Sequence, residues 1–318
     1  MKYSGIGGQA VIEGIMMMKG EDYAVAVRRP DKEIEVKKDT YQSITKKAKI
    51  LQLPFVRGVF RFADSMIIGM RSLSYSASFF EDDEDAEPGK FEQFLDRVFG
   101  EKLESAIMAA VLVISFILAI GIFMLLPLGI ANLFKGVITS DHLMAVLEGV
   151  IRIAIFIIYI KLVSRMEDIR RTFMYHGAEH KCINCVEHGH PLTVKYVRES
   201  SKEHKRCGTS FILIVMVISI LMFMVIRVDT IWMRILSRII LVPVIAGISY
   251  EVLQCAGRSN SKFMDLVSRP GMWMQGLTTK EPDDSMIEVA IAATEAVFDW
   301  REYLTENFPG WEKQLEES

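Results

Sequence analysis

The chain has 318 residues, 51% of them apolar, and a formal net charge of only −3. That length allows two soluble domains or one domain joined to a membrane bundle, and the apolar share with a positive mean hydropathy exceeds that of an ordinary soluble protein. The small net charge excludes a chain-wide nucleic-acid surface, and four cysteines are too few for a disulfide scaffold.

Residues 1–10 lack the apolar core of a signal peptide. Gly5 to Gly14 is glycine-rich, but its spacing fits neither a Walker loop nor a dinucleotide fingerprint, and it reads as tight backbone turns. Tyr23 to Val36 alternates around a central Pro-Asp, which predicts a β-hairpin. Leu53-Pro54 breaks the chain before a helix. In that helix Val59, Phe60, Phe62, Ala63, Met66, Ile67, Met70 and Leu73 recur at helical spacing, with Arg57, Arg61 and Arg71 among the polar positions. Two readings stand for it: an interfacial helix lying on a membrane, or a helix packed on the domain or the bundle. These residues form an N-terminal α+β segment, 1–80. The acidic run from Glu81 to Asp85, followed by Glu87-Pro88-Gly89, predicts an exposed linker with a lead-in helix over 81–104.

Ala106 to Phe134 carries no charge over 29 positions, well past the roughly 20 residues that cross hydrocarbon. Leu143 to Val163, Ser210 to Ile226 and Ile231 to Tyr250 are three further predicted spans. Arg234 and Arg238 interrupt the last, with stems long enough to snorkel to an interface. The spans form two pairs, 105–163 and 210–250. Within the second span Glu148 and Arg152 are an i, i+4 pair with the acid first, read as a structural ion pair. Nine Lys/Arg residues lie between Ser164 and Thr209, against two or three in the other connections together. The positive-inside rule then puts that loop, 164–209, and both termini in the cytoplasm. The fold class expected is a mainly α membrane protein: a four-span helical bundle with a cytosolic α+β module, seated in the bacterial inner membrane.

The loop holds the chemistry. His176-Gly-Ala-Glu-His180 places two imidazoles on one helical face with a carboxylate directly before the second, the arrangement of inverted zincins. A metal needs at least one more ligand. Two completions stay open. In one, His176 and His180 are joined by His204, Cys207 or the distant carboxylate Glu251, while Glu179 polarises a water at an open position. In the other, Cys182-x-x-Cys185 and His204-x-x-Cys207 close a structural zinc site. His188 and His190 flank Gly189 and read as turn residues, and Leu192 to Val197 as a short strand. The segment 251–318 is predicted cytosolic and helical, with an amphipathic helix over 285–307 capped by Asp283-Asp284-Ser285.

Several of these stretches share a pattern. Gly7-Gly-Gln-Ala-Val-Ile-Glu-Gly14, Leu53-Pro-Phe-Val-Arg-Gly58, Tyr175-His-Gly-Ala-Glu-His-Lys181, Arg206-Cys-Gly-Thr-Ser-Phe211, Ser249-Tyr-Glu-Val-Leu253 and Pro270-Gly-Met-Trp-Met-Gln275 resemble the YqhQ family of bacterial multi-pass membrane proteins. The likeness covers nearly the whole chain. The family's function is unknown, and its members carry the label of predicted metal-dependent enzymes. The family's histidine motif maps onto His176, Glu179 and His180, and its Cys-Gly-Thr segment onto Cys207, so the resemblance implies a metal site here with Glu179 beside it. Cys182 and Cys185 lie outside the family pattern, and Lys205 stands where proline is commoner. The function expected is metal-dependent (zinc or another divalent ion) hydrolysis at the cytosolic membrane face, with Glu179 as general base. The alternative is a non-catalytic protein that binds another membrane protein or assists membrane-protein assembly. The partners expected are the lipid bilayer and a membrane protein, with no nucleic acid. A transporter fits poorly, because the spans show no inverted repeat and few polar residues.

Overall fold

The computed structural model describes residues 2–80, 103–226, 230–258 and 261–315. The acidic linker expected from residue 81 lies outside the described residues, as do the side chains of Arg234 and Arg238. The described chain is mostly helical, with one small sheet. It divides into two compact units, Met1–Phe80 with Ile160–Leu221 and Arg227–Ser318, and Glu81–Tyr159 with Met222–Ile226.

Four antiparallel strands open the first unit: β1 (Ile6–Val11), β2 (Gly14–Lys19), β3 (Asp22–Arg28) and β4 (Ile34–Thr40), in sequential order. The hairpin expected over 23–36 is β3–β4, in register Arg28↔Ile34. Successive side chains of a strand point to opposite faces, and here both faces are covered. Ile15, Met17 and Ala26 join one core cluster, while Met16, Val25 and Val27 join another. That double burial explains why β2 and β3 read as almost unbroken apolar runs. The first cluster is closed by α5 (Glu167–Glu187) and α10 (Asp284–Val297); the second is closed by α1 (Val56–Ala77) through Ile68.

The glycine-rich start is a strand, not a set of turns. Gly8 sits where a Cβ would lie 2.5 Å from the Met16 carbonyl and 3.0 Å from Cγ of Glu179. Glycine there lets a helix approach the sheet, a role that glycine in a strand often has. The β1–β2 turn is only Ile12-Glu13, and Glu13 adopts a left-handed φ of 47°. Its carboxylate is gripped by the Arg171 guanidinium and accepts the Tyr175 hydroxyl, so α5 holds this strained residue in place.

Among the described residues four helices are long and apolar enough to cross a membrane: Val113–Asn132, Asp141–Val163, Gly208–Val225 and Ile239–Gly257. The first joins α2 (Leu103–Ile120) to α3 (Leu126–Asn132) through a π-turn at Gly121–Leu125. Pro127 follows at the head of α3; it has no N–H to give, and a local widening of this kind absorbs its ring. The second is α4 (Asp141–Val163), where Arg152 donates to Glu148 at 2.7 Å in a mostly buried pair. The third is α7 (Gly208–Val225), the fourth the apolar part of α8 (Ile231–Arg258). Helix α8 begins at Ile231 as expected but runs on past Tyr250 to Arg258, and its apolar stretch is Ile239–Gly257. Arg234 and Arg238 precede it.

The strand expected at Leu192 to Val197 is a helix, α6 (Val194–Glu199). Val194 and Val197 both reach the first core cluster, which a spacing of three satisfies on a helix and not on one face of a strand. The chain continues through α9 (Lys262–Thr278), α10 and α11 (Trp300–Asn307). As expected, Asp283 caps α10 by accepting the Met286 N–H.

Candidate metal centre

Helix α5 carries His176, Glu179 and His180 at positions i, i+3 and i+4, one above another on a single face. The segment 278–282 crosses this face closely. A Cβ on Gly177 would fall 2.0 Å from the Lys280 carbonyl, whose own N–H binds Phe173 O at 2.9 Å. Gly177→Ala must push that segment off the helix and is expected to cost about 1–3 kcal/mol. Gly276→Ala meets nothing within 4 Å and is expected to be neutral or stabilising. Thermal unfolding of the two variants in detergent checks this.

Each imidazole is oriented by a backbone carbonyl. His176 Nδ1 lies 3.1 Å from Thr278 O, and His180 Nδ1 lies 2.7 Å from Lys202 O. A carbonyl only accepts, so both Nδ1 atoms carry the proton and both Nε2 lone pairs are left for a metal. The rings lie 4.4 Å apart. The buried Cys207 completes the group: its Sγ is 3.2 Å from His176 Nε2. Ligand atoms of His176, His180 and Cys207 all lie within 4.8 Å of one another, the one such group found among the described residues. Cys207 immediately precedes α7. Its sulfur accepts the Thr209 N–H at 3.4 Å and touches the Thr209 hydroxyl at 3.1 Å, at the positive end of the helix dipole. Two imidazole nitrogens and a sulfur suit zinc, and three protein ligands leave a fourth position open.

Glu179 is buried between α5 and β1 and is not one of the clustered ligands. Burial pushes its carboxyl up to about 6, against the opposing pull of the His176 ring and the Gly8 N–H. This raised carboxyl lies one residue before His180 and three after His176 in the sequence, outside the His/His/Cys group itself.

His204 is not brought into the cluster. Its Nδ1 accepts the Arg206 N–H, and its Nε2 faces Glu187 Oε2 at 3.5 Å without a hydrogen bond. Glu251 is also placed elsewhere: its carboxylate takes Arg57 Nε at 2.7 Å and Nη2 at 2.6 Å. An arginine fork on α1 outcompetes any distant ion for that carboxylate. The four-ligand site on Cys182, Cys185, His204 and Cys207 is not formed. Cys182 and Cys185 point into the first core cluster, where burial raises both thiols, Cys185 to about 12. A thiol that resists ionisation is a poor ligand.

Sequence reasoning missed the residues that hold the loop. Glu187, fully buried two residues beyond Cys185, accepts Ser4 N at 2.9 Å, Ser4 Oγ at 2.7 Å and the Arg206 guanidinium. Burial alone would raise its pKa, but the His204 ring, Arg206 and the Ser4 N–H hold it down at about 2. Gln275 clamps His204 from both sides, accepting its N–H at 2.8 Å and donating to its carbonyl at 2.7 Å. Lys181 and Asn184 bind the carbonyls of Arg198, Ser200, Ser201 and Glu203. The signal was present for Glu187, which lies seven positions after His180 and so shares its helical face.

The family described as "Protein of unknown function (DUF1385)" matches residues 53–300. The chain is 34% identical over 286 residues to "Uncharacterized protein YqhQ" of Bacillus subtilis (strain 168), covering 90% of this chain and 89% of that one. The chain belongs to this family. The resemblance drawn from the sequence motifs is therefore confirmed, and with it a function not yet assigned to the relative. No solved structure matches the chain.

Proposed function

We propose that the protein is a zinc-dependent hydrolase seated at the cytosolic face of a bacterial membrane. The observation that carries this is the convergence of His176, His180 and Cys207, with both imidazoles held in the tautomer that frees Nε2. A zinc ion in that setting supplies a Lewis acid and makes bound water acidic enough to react at neutral pH. With the ion held by His176, His180 and Cys207, Glu179 would be the residue to take a proton from water and pass it to the leaving group. Cys207 stands at the head of an apolar helix, so the scissile bond is presented at the bilayer boundary. The nine basic residues of 164–209 support a cytosolic orientation for that boundary and for both termini.

Metal analysis of the purified full-length protein tests the reading. One zinc per chain is expected. His176→Ala/His180→Ala and Cys207→Ala should each lose it, while Glu251→Gln should keep it. Stoichiometric zinc retained by the double histidine variant would overturn the assignment.

A further inference from the structure

Two helices of the first unit are turned inside out. Helix α1 buries Gly58, Asp64, Gly69, Ser72 and Ser76, with Ile68 its one large apolar residue inside. Its stripe of Phe62, Met66, Met70 and Leu73 faces outward, Met66 being 53% exposed. Helix α9 repeats the inversion. Ser268, Gly271, Gln275 and Thr278 are buried, with Met274 the one large apolar residue inside, whereas Phe263, Leu266 and Trp273 are 59–70% exposed along one face. A helix meant for water presents the opposite pattern.

We propose that α1 and α9 lie in the bilayer interface with these stripes in lipid, forming a membrane-contact surface additional to the four apolar helices. The placement argues for lipid over a protein partner. Both helices attach to the two apolar helices of their own unit: Phe62 stacks 5.7 Å from Phe211, and Gly58 abuts Tyr250 and Gly247. Gly271 abuts Ser210. Those apolar helices expose Leu221 and Val242 in turn, so a bilayer that covers them continues onto the stripes. Arg61 and Arg71 on α1, and Lys262 and Arg269 on α9, are exposed off the stripes, where phosphate headgroups would meet them. The inner face of α9 supplies Gln275 and Thr278 to the histidine loop. The candidate centre is thus about one helix diameter, roughly 10 Å, from the lipid that α9 touches.

The proposal rests on the membrane reading of the apolar helices, and the test separates the two. Single cysteines are placed at Met66, Leu266, Leu221 and Glu302 in a Cys255→Ser background, since the other three native cysteines are buried. The full-length protein is spin-labelled in phosphatidylcholine–phosphatidylglycerol liposomes, and collisions with oxygen and with a water-soluble nickel chelate are measured. Labels at Met66 and Leu266 are expected to match Leu221, with an oxygen-to-nickel ratio several-fold above that at Glu302. Nickel access at Met66 and Leu266 equal to Glu302 would overturn the proposal. Shielding from both agents would also overturn it, because a protein surface would then cover the stripes. Nickel access at Leu221 would remove the membrane reading itself.

Discussion

Glu179→Gln is expected to leave the metal bound and abolish activity. The substitution keeps shape and burial but removes the base, and general-base catalysis is typically worth about 10²–10⁴ in rate. Glu179 is not one of the clustered ligands, so zinc content and membrane insertion should match the parent. The measurement is complementation of a strain lacking the homologous gene, with metal analysis of the same variant. Full complementation by metal-loaded Glu179→Gln would move the protein out of the hydrolase class. It would then favour a binding or assembly role, in which substitutions along the Met66 stripe should be the damaging ones.

The second large effect is on stability in acid. Glu187 is fully buried and its carboxyl is held down from 4.5 to about 2. Folding therefore favours its ionised form. The associated stability is complete above about pH 4.5 and is lost as pH falls towards 2, a drop of about 3 kcal/mol. His204 acts earlier. Burial, chiefly, lowers it from 6.5 to about 4, so the fold resists its protonation and loses stability as pH falls through that window. Denaturant melts in detergent should show a decline beginning near pH 6.5 and steepening below 4.5. Glu187→Gln should lower stability at pH 7 by about 3–5 kcal/mol, because the mostly buried Arg206 guanidinium loses its counter-charge. It should also flatten the pH dependence below 4.5. A variant as stable as the parent at neutral pH would contradict the role given to this ion pair.

Much of the architecture was legible because its signals are local. The β3–β4 hairpin followed from alternation and a Pro-Asp turn, and the start of α1 from Leu53-Pro54. The first and third apolar helices followed from charge-free length, and the second from a long apolar run around one i, i+4 ion pair. The failures share a cause: each depended on what the segment packs against. Gly8 looks like a turn glycine until Glu179 is placed behind it. Val194 and Val197 fit a strand until one core claims both. Glu251 looked available as a ligand because Arg57, 194 positions earlier, is invisible to spacing arguments. For the centre, the i, i+4 histidines and Cys207 were named from the sequence, and the structure brings their ligand atoms together. The carbonyls of Thr278 and Lys202 that set the tautomers are backbone atoms, about which side-chain identity is silent.

The module that holds the centre draws on both extremes of the chain. Lys2 N binds the Glu187 carbonyl, and the Tyr303 hydroxyl binds the Lys2 carbonyl. The sheet of residues 6–40 closes its first core only against α5 and α10. During synthesis, then, the four strands emerge first and wait. More than 240 residues, all four apolar helices among them, must follow before α10 can cover Met17 and Ala26. Contacts of such long range fold slowly and leave strand surface exposed meanwhile. Synthesis of the apolar helices therefore precedes completion of the core against the sheet. A chain stopped before residue 284 would carry every clustered ligand and yet lack the wall behind them.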